Sequence, residues 1–86
     1  MHDADDLKEE IYNLIADDRA GNYTRLFRIL DEIEADRKRI GPDGNAYLIV
    51  DGKRYPAICA YGLQSFASVA RKVAKTHDLK SLSRLL

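Results

Sequence analysis

Cysteine, tryptophan and proline are nearly missing from this 86-residue chain, which has one Cys, no Trp and two Pro. A lone Cys59 forms no internal disulfide, which excludes a disulfide-stapled secreted miniprotein. One Cys and two separated His, His2 and His77, are too few ligands for a structural zinc site. No apolar run approaches the ~20 residues that span a bilayer; Ala46 to Val50 is as long as any. The opening Met1-His2-Asp3-Ala4-Asp5-Asp6 lacks the basic and apolar regions of a signal peptide, so a cytoplasmic location is expected. Net charge of one sign is also absent: fourteen Lys and Arg balance fourteen Asp and Glu. A neutral chain lacks the strongly basic balance of a dedicated nucleic-acid binder.

What is present is an ordinary globular composition, 45% hydrophobic and 33% charged, which argues against wholesale disorder. The length predicts one domain over residues 1–86 and makes a large multi-part active site improbable. The zero charge hides a polarity: residues 1–18 carry a net −6 and residues 44–86 a net +5. Either the two ends complement each other in the fold, or one of them faces a charged partner.

The first segment has the pattern of an amphipathic helix, with Leu7, Ile11, Leu14 and Ile15 on one stripe. Asp6 and Glu9 suggest a capping box, and Arg19-Ala20-Gly21 a stop at which Gly21 takes positive φ. Asn22 is expected to cap a second helix carrying Tyr23, Leu26, Phe27, Ile29, Leu30 and Ile33. Its outer charges would pair along the helix, Arg28 with Glu32, Glu34 with Lys38 and Asp36 with Arg39. Gly41-Pro42 would end it. The short connection between the two helices predicts an antiparallel helical hairpin.

Ala46–Val50 and Lys53–Ile58 flank Asp51-Gly52, the preferred pair for a two-residue type I′ turn. This predicts a two-stranded hairpin with Leu48 opposite Tyr55 and Val50 opposite Lys53, Pro56 lying on an edge. Helices must cover one face of such a sheet. A further helix follows Gly62, with Leu63, Phe66, Ala67, Ala70, Val73, Ala74 and His77 as one stripe. A break at Thr76-His77-Asp78 would leave a last short helix bearing Leu79, Leu82, Leu85 and Leu86. The fold class is a small α+β domain.

The chemistry sought is largely missing. Cys59 and His77 have no motif context for nucleophilic catalysis. Asp3, Asp5 and Asp6 lack the loop of a calcium hand. The Gly41-Pro42-Asp43-Gly44 run precedes a strand, unlike a phosphate-binding loop, which opens a helix. Catalytic, cofactor-binding and metal-ligating residues are therefore all read as none, and the protein as no enzyme.

The expected function is a non-enzymatic protein–protein interaction or regulatory module. A small inhibitor or adaptor would fit, acting on a larger nucleic-acid-handling assembly through an acidic surface. Its candidate contact residues are Asp6, Glu9, Glu10 and Asp17, with Tyr47, Tyr55 and Tyr61, because tyrosine suits half-wet interfaces. The leucine-rich C-terminus offers a homodimer surface. The alternative is a nucleic-acid-binding regulator using Lys53, Arg54, Arg71, Lys72 and Lys75, bases set among aromatics. No membrane partner is expected.

Overall fold

In the computed structural model, which describes residues 1–86, four helices and a three-stranded antiparallel sheet share one core. The elements are α1 (Ala4–Ala16), α2 (Ala20–Ala35), β1 (Lys38–Ile40), β2 (Ala46–Val50), β3 (Lys53–Pro56), a short 3-10 turn over Ala57–Cys59, α3 (Ala60–Thr76) and α4 (Leu79–Ser83). The α+β class holds. No helix is long and apolar enough to cross a membrane.

Helix α1 buries Leu7, Ile11 and Ile15, a stripe set by the 3.6-residue period. Its cap is Asp3, whose Oδ1 accepts from the Asp5 N–H at 2.9 Å. Asp6 is already helical, so the expected Asp6–Glu9 box does not form. The stop after α1 also differs from expectation. Asp18, at φ 45°, turns the chain, whereas Gly21 lies inside α2. A short polar side chain tolerates this left-handed geometry, and Asp18 accepts a hydrogen bond from the Tyr23 hydroxyl at 2.9 Å. Asn22 is not the cap of α2, which starts after Arg19. It reaches back to donate to the Leu14 carbonyl at 3.5 Å and to Asp17 Oδ2 at 3.3 Å, closing the end of α1. The expected helical hairpin forms with different caps.

Helix α2 ends at Ala35 because Asp36 turns left-handed at φ 50°. The next residues form a strand where a helix was expected. Lys38, Arg39 and Ile40 pair with Leu48, Tyr47 and Ala46, so the sheet has order β1-β2-β3. The expected pairing along the α2 surface is replaced accordingly. Arg28 reaches Asp51 at 3.2 Å, Glu34 takes Arg71 at 2.7 Å and Asp36 takes Lys38 at 3.4 Å.

The second hairpin matches its sequence. Asp51 and Gly52 have φ 53° and 75°, both positive as a type I′ turn requires. Leu48 faces Tyr55 and Val50 faces Lys53. Pro56, without an N–H, sits on the outer strand β3. Leu48, Val50 and Tyr55 turn one sheet face into the core. Helix α3 starts two residues before Gly62 and buries Leu63, Phe66, Ala67, Ala70 and Val73 between α1, α2 and α4. His77 leaves this stripe: it ends α3 at φ 56° and is exposed. Leu82 of α4 is fully buried, while Leu85 and Leu86 remain 43% and 52% exposed. Half of the leucine-rich tail is thus used by the chain's own core.

Candidate interaction surfaces

Because Leu7, Ile11 and Ile15 point inward, the helical period sends Asp6, Glu9, Glu10 and Asp17 outward. These four acids line one open groove of about 700 Å³, with Asn13, Leu14 and Asn22 also on its walls. Asp5 and Glu9 border a second hollow beside Tyr12, Asn13 and Leu86. The one base of α1, Lys8, sits over the Phe66 ring at 5.8 Å.

The acids are not equivalent. Glu10 is bound by Arg25 and faces Lys53 at 3.9 Å. Asp17 pairs with Arg19 at 3.2 Å. Asp18 lies 3.4 Å from His77 Nε2, which in turn is 3.1 Å from the Tyr23 hydroxyl, tying the end of α3 to the α1–α2 turn. Asp5, Asp6 and Glu9 make no ion pair at all. The acidic end and the basic half therefore do meet, through Glu10 and Lys53, yet the carboxylates of Asp5, Asp6 and Glu9, and that of the capping Asp3, stay outside any ion pair.

The tyrosines separate as well. Tyr61 is 83% exposed, Tyr47 is 9% exposed under the Arg54 guanidinium, and Tyr55 is 1% exposed in the core. Tyr55 is therefore corrected from a contact residue to a core residue. Its strand pairing with Leu48 points the ring inward.

The basic residues expected to meet nucleic acid do not form one free surface. Arg71 is held by Glu34 and Asp31 and lies 5.8 Å over Phe27. Lys53 faces Glu10. Lys72 and Lys75 are exposed on α3 without an acidic partner. Arg54 lies on β3, with its Cζ 4.7 Å from the Tyr47 ring centre. Arg37 and Arg39, read from sequence as part of a helix, instead flank or occupy β1. The turn-rich stretch Gly41-Pro42-Asp43-Gly44-Asn45, directly before a strand, was the signal for this extra hairpin.

Cys59 and His77 bracket the 17-residue α3, which at 1.5 Å per residue puts them about 27 Å apart. They cannot act as a nucleophile–base pair. No three His, Cys, Asp or Glu side chains converge as a metal-holding group.

Asp51 joins the hairpin to α2. Its carboxylate takes Arg25 at 2.7 Å and Arg28 at 3.2 Å, and its N–H donates to Glu32 Oε2 at 3.3 Å. The hydrogen bond from Arg25 holds the Asp51 carboxyl below its usual range. A depressed carboxylate stabilises the fold above the unfolded value, about 3.9, and loses that contribution as pH falls through the folded one. Asp51→Asn keeps a turn residue suited to type I′ geometry and removes the charge. It should cost about 1 kcal/mol at pH 7, roughly 4–8 °C in melting temperature. Thermal melts from pH 7 to pH 2 should show the gap between variant and wild type closing in acid. A constant gap would refute the assigned ion pairs.

Neither a known family, a curated protein nor a solved structure matches this chain, so the chemistry of its own residues carries the functional reading.

Proposed function

We propose that the chain is a non-enzymatic interaction module, an inhibitor or adaptor, that meets a basic protein surface through the exposed face of α1. The carrying observation is the set of carboxylates on Asp5, Asp6 and Glu9, which the fold leaves without an internal base. Charges left unpaired on a helix whose opposite stripe is locked in the core are already arranged for a partner, and complementary charge raises the encounter rate and selects among partners. Glu10 and Asp17 extend the groove and stay fixed by Arg25 and Arg19. A basic channel, such as one that otherwise holds nucleic acid, is the complementary shape and charge.

Two substitutions separate the structural from the contacting acids. Glu9→Lys should leave stability within about 0.5 kcal/mol and slow association with the partner. Glu10→Lys places a cation against Arg25 and Lys53, and should cost more than the ~0.2–1 kcal/mol of an exposed pair. Thermal melts read the first quantity. For the second, wild-type chain and an Asp6→Lys/Glu9→Lys variant serve as parallel baits in the native host, with bound proteins identified by mass spectrometry. A basic protein recovered with wild type and lost with the variant supports the proposal. An identical set of bound proteins on both baits overturns it.

A further inference from the structure

The outer face of the sheet carries a second surface, of opposite character. Directly opposed residues of antiparallel strands share a face, as do residues two apart on one strand. Arg39 opposes Tyr47, Ile49 opposes Arg54, and Tyr47 opposes Pro56. Arg39, Tyr47, Ile49, Arg54 and Pro56 therefore lie together, opposite the face that carries Leu48, Val50 and Tyr55 into the core. Arg37 joins them, since it lines a notch of about 280 Å³ with Arg39 and Ile49.

None of these three arginines belongs to an ion pair, although Arg19, Arg25, Arg28, Lys38, Lys53 and Arg71 all do. All three are exposed. The acids beside them are already engaged. Asp31 holds Arg71, Glu32 accepts the Asp51 N–H, and Asp43 accepts the Asn45 N–H and side-chain amide. The face thus offers three guanidinium groups outside any ion pair, although Arg54 feels the Asp43 carboxylate, a smaller influence on that carboxylate than its hydrogen bonds from Asn45.

Arg54 adds a second property. Its guanidinium lies 4.7 Å over the centre of the Tyr47 ring, so a charged planar group is backed by an aromatic one. Its free side is a platform on which a nucleobase can stack. Charges on and just before β1, with such a platform on β3, suit a chain of phosphates carrying bases. An acidic peptide supplies the anions but no base to stack.

We propose that this face binds single-stranded nucleic acid, with Arg37 and Arg39 on the phosphates and Arg54 stacking on a base. The site differs from the acidic face of α1 and does not depend on it. It shares only Arg54 with the basic set expected from sequence, in which Lys53 and Arg71 are neutralised internally.

The test is fluorescence anisotropy of labelled dT12 and rU12 with the full chain at several salt concentrations. Binding of either strand is expected, with a slope of log affinity against log salt of about −1.4 for two phosphate contacts. The tighter of the two strands identifies the source. Arg39→Ala should make the slope shallower by about 0.7. Arg54→Lys keeps the charge and loses the plane, so affinity should fall roughly five-fold or more at an unchanged slope. Lys72→Ala/Lys75→Ala should bind as wild type does. Circular dichroism checks that each variant is folded. The proposal is overturned by no binding of either strand at 50 mM salt, or by polyglutamate competing as well as unlabelled strand. Binding that survives Arg39→Ala/Arg54→Ala, or that is lost with Lys72→Ala/Lys75→Ala, also overturns it.

Discussion

Tyr55→Ala should unfold much of the population at physiological temperature, whereas Tyr55→Phe should leave the protein nearly as stable as before. The Tyr55 ring is 1% exposed and among the largest fully buried side chains. It packs in the core cluster with Leu48 and Val50 and lies 5.8 Å, centre to centre, from the His2 ring. Removing a buried aromatic ring costs about 3–5 kcal/mol. A chain of this length has a total stability of about 4–13 kcal/mol. The melting temperature should drop by at least ~12 °C. The hydroxyl matters much less. It makes no hydrogen bond within the protein, and burial together with Glu10 and Asp51 pushes its ionisation above the ordinary tyrosine value, so it stays neutral. Removing it leaves no partner unpaired. Equal losses from Phe and Ala would contradict this account of Tyr55. So would a partner-binding defect in a fully stable Tyr55→Phe variant.

Gly52→Val is the second large effect, expected to cost about 1–3 kcal/mol. No atom crowds the site: a Cβ built on Gly52 meets nothing within 4 Å. The cost comes from the backbone, held at φ 75° by the turn, where a β-branched residue is an outlier. The strain would propagate, because the preceding residue, Asp51, also anchors Arg25 and Arg28. Gly21→Ala supplies the contrast. Gly21 lies inside α2 with open space around it and no positive φ. Alanine there should stabilise by about 0.5–1 kcal/mol. Urea denaturation of the two variants reads both signs, and an unchanged midpoint for Gly52→Val would refute the type I′ assignment.

Legibility in the sequence followed the range of the interactions. The stripe of α1, the stripe of α3 and the register of the second hairpin were readable, because each depends on residues a few positions apart. The acidic face of α1 followed from the same stripe. The free arginine face did not, because Arg39 belongs to it only through the pairing of β1 with β2. Lys38-Arg39-Ile40 has no strong strand propensity. The open edge of β2 and the turn at residues 41–45 impose the extended form, a tertiary override of local preference.

By itself the sequence determined the α+β class, the helical hairpin and the type I′ turn, because period and turn chemistry are local properties. Only the tertiary structure decided which acids are spent and which are free, that Tyr55 and Leu82 are core, and that three arginines share the outer sheet face. The deciding contacts join Arg25 to Asp51, Asp31 to Arg71 and Tyr23 to His77. Such partners lie 26, 40 and 54 residues apart along the chain. No periodicity signals them, because a long charged side chain adopts whichever partner the packing of apolar stripes brings within its reach.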